Sequence, residues 1–118
     1  KFNSDIFTQE IYEKLVVNNS LCFRFIPDNF KTLDMCMKAV QSDTLNLQYI
    51  PDNILSSPKI NEIYCEALEK NPRSFLNIID PDEEICIYAI KKDIKNIFFL
   101  KESMLEKLLD NKIIQLIF

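Results

Sequence analysis

Four cysteines, Cys22, Cys36, Cys65 and Cys86, are the residues of this chain best suited to metal binding or nucleophilic chemistry. None of them forms a C-x-x-C pair, and the chain has no histidine to complete a zinc set. Without histidine, a Ser or Cys nucleophile also lacks its usual general base. Phosphate-cradling loops are excluded because the sequence contains no glycine. The run Asp80, Asp82, Glu83 and Glu84 has two readings. It could bind a divalent cation through carboxylate oxygens, or it could be the acid-decorated N-terminus of a helix, where the macrodipole favours negative charge. The second is favoured. We therefore expect no catalytic residue, no cofactor and no metal, and the chain is read as a non-enzyme. Asn18-Asn19-Ser20 matches a glycosylation acceptor, which is read as chance.

What the cysteines do follows from the elements that carry them. Leu15, Ala39, Ala67, Ala89 and Leu108 form one column, spaced by 24, 28, 22 and 19 residues. Positions −4, −3, 0 and +1 about each member are apolar, as in Met35-Cys36 with Ala39-Val40 and Ile85-Cys86 with Ala89-Ile90. That spacing is one stripe of an α-helix. Cys36 and Cys86 thus stand in a packing column and are expected to be core thiols. Two disulfides would need a secreted setting, and reduced thiols are expected instead.

About eight residues after each column member a second apolar cluster begins: Phe23-Arg24-Phe25-Ile26, Leu47-Gln48-Tyr49-Ile50, Phe75-Leu76-Asn77-Ile78, Ile97-Phe98-Phe99-Leu100 and Leu116-Ile117-Phe118. Polar links such as Ser42-Asp43-Thr44 and Asp93-Ile94-Lys95-Asn96 precede them. These segments are read as short helices or helical turns. A strand competes, given the Phe, Tyr and Ile content, but strict alternation and turn glycines are missing. Thr32, Ser57, Asp80 and the Ser103–Glu106 capping-box spacing are read as helix starts. The expected fold is all-α, with about five long-plus-short helix units stacked as a small solenoid in one domain over residues 1–118. The chain lacks an initiating Met, so it is read as a fragment of a longer one.

The net charge is −4 and the pI about 4.8. An acidic surface argues against a nucleic-acid partner, and Lys91-Lys92 is read as a solvated helix end. No apolar run reaches membrane-spanning length. Rich Ile, Asn, Lys and Phe usage without glycine suits an AT-rich genome. Two residues before each column member sit Glu13, Met37, Cys65, Ile87 and Glu106. Either the middle helices are sandwiched between neighbours, or an apolar groove runs along the central units.

Over Ile26–Val40, continued through Leu45-Asn46-Leu47-Gln48-Tyr49-Ile50-Pro51, the chain resembles a family of short helical repeats with no assigned function, found in giant viruses of amoebae and some bacteria. The pattern is Leu-x-Tyr-[Ile/Val]-Pro, then Thr-acidic-x-Cys-x-x-Ala-Val. The match is good over residues 21–55 and looser to residue 100, where the Pro after Ile78-Ile79 is lost and Ile54–Pro58 is inserted. The resemblance implies a helical array and an interaction role, and it carries no catalytic residue. The leading expectation is a module that binds another protein. The alternatives are a self-assembling structural or virion-associated building block, or an accessory domain of a larger enzyme. The expected location is intracellular, in host cytoplasm or virion if viral. Arg24, Gln48 and Phe98 share one column of the second segments and are expected to face outward. Tyr88, Ile117 and Phe118 complete the candidate interaction residues, the last two because an apolar C-terminal segment calls for a cover. If the column is right, Ala39→Leu and Ala89→Leu overpack a helix contact, and denaturant unfolding should show a loss of about 1–3 kcal/mol for each.

Overall fold

A computed structural model describes residues 6–110 and Gln115. Their regular elements are all helices, with no strand among the described residues. Five α-helices of nine to eleven residues, α1 (Gln9–Asn18), α2 (Leu33–Ser42), α4 (Ile60–Lys70), α5 (Glu83–Lys92) and α6 (Glu102–Asp110), carry the column residues. Between them run the 3-10 helices η1 (Ser20–Phe25), η2 (Asp28–Phe30), η3 (Thr44–Tyr49), η4 (Pro72–Asn77) and η5 (Ile94–Phe99), together with the single turn α3 (Asp52–Leu55). α1 packs on α2, α2 on α4 and α4 on α5, while η1, η3, η4 and η5 pack in the same order beside them. The result is elongated, 55 × 22 × 20 Å.

The apolar stripe is buried in the three middle helices, whereas in α1 and α6 only Val16 and Leu108 are buried and Ile11 and Leu109 are exposed. Met35, Cys36, Ala39 and Val40 are all buried, as are Ile63, Tyr64, Ala67 and Leu68, and Ile85, Cys86, Ala89 and Ile90. Three alanines at the helix contacts are fully shielded. Their short side chains let the helices approach closely.

One residue ends each of four long helices and starts the next 3-10 helix. Asn19, Asp43, Asn71 and Asp93 all take an extended backbone, with φ between −152° and −153°. Each N–H donates to the carbonyl of the column residue, Leu15, Ala39, Ala67 or Ala89, at 2.8–3.0 Å. Each side-chain Oδ1 accepts the N–H two residues on, at 2.9–3.1 Å. The stretches read as polar links are therefore first turns of 3-10 helix.

That shift puts Asn46 and Asn96 inside an element, where both are buried. Asn46 Nδ2 donates to Ala39 O at 3.1 Å and to Ser20 O at 3.2 Å. Asn96 Nδ2 donates to Ala89 O at 3.0 Å and to Pro72 O at 3.1 Å. Each amide thus stitches the preceding long helix to the first residue of a neighbouring 3-10 helix, η1 for Asn46 and η4 for Asn96. Ser74, at the same position of η4, is too short to do this, and its buried Oγ has no partner among the described residues.

A buried cation sits between η1 and α2. Lys31 is 5% exposed. Its Nζ donates to the Tyr49 carbonyl at 2.7 Å, lies 3.4 Å from Asp28 Oδ1 and stands 4.4 Å from the Phe23 ring centroid. A carbonyl, a carboxylate and a π-face together replace the water it gives up.

Helix starts differ from the sequence reading at three places. Thr32 caps α2 as expected, accepting from Met35 N at 3.1 Å. α4, however, begins at Ile60, because the turn after α3 takes Ser57, whose hydroxyl accepts from Lys59 N instead. Asp82, not Asp80, caps α5 by accepting from Ile85 N at 2.9 Å. Asp80, held before Pro81, takes φ 48°, the one positive value among the described residues. Ser103 lies inside α6, which starts at Glu102 directly after Leu100-Lys101.

The amide stitches predict a paired outcome. Asn96→Ala removes the bonds to the Ala89 and Pro72 carbonyls from a buried site and should cost about 1–3 kcal/mol by denaturant unfolding. Ser74→Asn supplies a donor to Ala67 O and Thr44 O and should raise stability by about 1 kcal/mol.

Candidate functional site

The fifth residues of η1, η3, η4 and η5 are Arg24, Gln48, Leu76 and Phe98, and all four are exposed. Because these 3-10 helices pack side by side, the four side chains form one row. Arg24 reaches along it, its guanidinium 5.1 Å from the centroid of the Tyr49 ring. Phe98 is 82% exposed and Phe25, next to Arg24, is 80% exposed. Leu76 belongs to this row and was not singled out in the sequence; its place one residue after the buried Phe75 gave the signal.

Tyr88 is not part of the row. It lies on α5, half-buried, and its hydroxyl donates to Glu69 on α4. Lys92 pairs with the same carboxylate and stands 5.2 Å from the Tyr88 ring centroid. The hydrogen bond from Lys92, then that from Tyr88, holds the Glu69 carboxyl below its ordinary range, and the bond to Glu69 pushes the Tyr88 phenol up. The trio clasps two helices. Ile117 and Phe118 lie outside the described residues.

The acidic run is taken up by protein partners. Asn61 Nδ2 donates to Asp82 Oδ2 at 2.9 Å and to Glu84 Oε1 at 3.4 Å. Glu83 pairs with Lys107 at 3.4 Å and Asp80 with Lys101 at 2.6 Å. Met37 and Cys65 pack against the core and Ile87 is half-buried, while Glu13 and Glu106 are exposed. That arrangement matches helices sandwiched between neighbours.

Two grooves are walled by apolar side chains. One, of about 380 Å³, lies between η4, α5, η5 and α6, with Phe75, Ile78, Cys86, Phe99, Leu100 and Met104 among its walls and Asp80 and Lys101 among its polar lining. The other, also about 380 Å³, is lined by Phe7, Tyr12, Leu15, Cys22, Phe25 and Ile26. Neither the row nor the grooves present a nucleophile paired with a base. All four cysteines are free thiols. Burial pushes Cys36 up to about 12 and Cys86 up to about 11, so the reactive thiolate is suppressed in both. Both should label slowly with a thiol reagent in the native protein and at once in denaturant, with half-buried Cys22 and Cys65 reacting first. Rapid native labelling of Cys36 and Cys86 would contradict their place in the core.

No helix among the described residues is long and apolar enough to cross a membrane. No curated protein and no solved structure matches the chain. A family model does match: a DUF4116 domain, described as a domain of unknown function, is found at residues 8–55, from the N-cap of α1 to the last residue of α3.

Proposed function

We propose that the chain is a non-catalytic helical-repeat array, a small solenoid of long-plus-short helix units, that binds another protein through the row on its 3-10 helices. One observation carries this reading: Phe98 on that row is more than three-quarters exposed, and so is Phe25, which stands beside the row next to Arg24 and also lines the groove at α1. Exposed aromatic side chains mark interaction surfaces, and Tyr, Trp, Phe and Arg supply much of the binding energy at interfaces. Arg24 and Gln48 give the row polar contacts between the aromatic ones. The ordered packing of long helices on one side and 3-10 helices on the other supports the array. Free thiols fit an intracellular setting.

Self-assembly is the second reading, favoured by the groove at α1. Its residues Tyr12, Leu15, Cys22 and Ile26 correspond to Cys36, Ala39, Asn46 and Ile50, which the second helix pair buries. A second copy offering an equivalent surface would cover it.

Size-exclusion chromatography with light scattering separates the two. A monomer that recovers one partner from its native host, and loses it in Phe25→Ser and Phe98→Ser, supports the row. Neither substitution should move stability by more than about 0.5 kcal/mol, since both rings are exposed. A mass that rises with concentration, and falls in Tyr12→Ser but not Phe98→Ser, identifies self-assembly. A partner retained by both Phe variants and by Arg24→Ala removes the row from the interface.

A further inference from the structure

The connections between successive long helices differ in what they bury. Residues 27–32, between η1 and α2, bury Lys31. Residues 51–59, between η3 and α4, bury Ile54 on α3. Residues 79–82, between η4 and α5, are the shortest of the three and bury no side chain: Ile79, Asp80 and Asp82 are exposed and Pro81 is half-buried. The groove of about 380 Å³ opens at this third connection.

Its walls repeat the surroundings of Lys31. Phe23 and Phe75 are the fourth residues of η1 and η4, Cys36 and Cys86 the fourth residues of α2 and α5, and Tyr49 and Phe99 the last residues of η3 and η5. In the first set, the Lys31 ammonium stands 4.4 Å from the Phe23 ring centroid and 2.7 Å from the Tyr49 carbonyl, and its charge reaches the Cys36 thiol. In the second set, Phe75, Cys86 and Phe99 line a space that no such side chain of the described residues fills. We propose that this groove receives a lysine side chain from a partner protein, whose ammonium stands to the Phe75 ring and the Phe99 carbonyl as that of Lys31 stands to the Phe23 ring and the Tyr49 carbonyl. The proposal deepens the interaction reading and rests on it for the source of the lysine.

Charge favours the same occupant. Asp80 lines the groove, as Asp28 lies beside Lys31. Asp82 and Glu83 at the start of α5 act on Cys86; Glu83 pairs with Lys107, whereas Asp82 and Glu84 are held by the neutral Asn61. Lys101 is the basic side chain of the lining; it pairs with Asp80 at 2.6 Å and is itself 72% exposed, so it occupies the rim and leaves the groove open. An incoming ammonium competes with Lys101 for that carboxylate.

The test is a nitrogen-15 NMR titration of the whole chain with N-acetyl-lysine N-methylamide, with the norleucine counterpart as control. The lysine derivative should give saturable shifts at Phe75, Cys86, Phe99 and Leu100, and the norleucine derivative should give much smaller ones. Lys101→Met should tighten the lysine derivative, and Asp80→Asn weaken it, by about two- to fivefold each, the scale of an exposed ion pair. Asn keeps the left-handed backbone that Asp80 adopts, and the wild-type comparison of the two derivatives stands even where a variant unfolds. Equal shifts from both derivatives, no saturable shift, or shifts confined to Asp80 and Lys101 would each overturn the proposal. Because the probe is a free amino-acid derivative, its failure leaves the exposed row untouched, and failure of the row leaves this binding measurable.

Discussion

Four side chains, those of Asn19, Asp43, Asn71 and Asp93, set where each long helix stops and how the next element starts. The backbone N–H closes the last turn onto the column carbonyl, and the side-chain oxygen opens the 3-10 helix two residues on. Both bonds come from one residue in an extended conformation that any residue can adopt. Asp and Asn are selected by the side-chain acceptor, which mimics a turn carbonyl. Because the stop always falls four residues after the column, the fourth residue of each following 3-10 helix arrives in register. That is why Phe23, Leu47 and Phe75 are buried while the residues after them are exposed. A chain with no glycine reverses direction repeatedly in this way.

Buried polar groups then fix which surfaces meet. The amides of Asn46 and Asn96 each bond two carbonyls, one within the helix pair and one in the neighbouring 3-10 helix, η1 or η4, so sliding one layer by a residue would break bonds in a dry interior. Lys31 does the same with a charge, and a displaced junction would leave that charge unpaired at several kcal/mol of cost. Apolar packing supplies the larger part of the stability but is tolerant of shifts. The polar contacts make one arrangement better than its neighbours.

Much of this was legible in the chain, and the reason is periodicity. The stripe around Ala39, Ala67 and Ala89 is a helical pattern that few other structures can bury, and the outward column Arg24, Gln48, Phe98 followed from it. The buried asparagines were not legible. Asn is ordinarily a surface or turn residue, and Asn96 was read as part of a polar link because its value lies in two carbonyls distant in sequence. Lys31 was hidden for the same reason: its partners Phe23 and Tyr49 flank it by 8 and 18 residues. Two of the helix starts were misplaced where a proline fixed the preceding backbone, as for Asp80, or an extra turn took the polar residue, as for Ser57, and Ser103 was misplaced because α6 has already begun at Glu102.

The distribution of burial along the long axis has a dynamic consequence. α2, α4 and α5 each bury four side chains, whereas α1 buries Val16 alone and α6 Leu108 alone. Opening an outer helix exposes little apolar surface, and opening a central one exposes surface on two sides. Amide protons of α1 and α6 should therefore exchange through local fraying at low free energy, while those of α2 to α5 exchange only when several helices separate together. A protein built along one axis in this way has a hard middle and yielding ends, and the exposed row of 3-10 side chains crosses both.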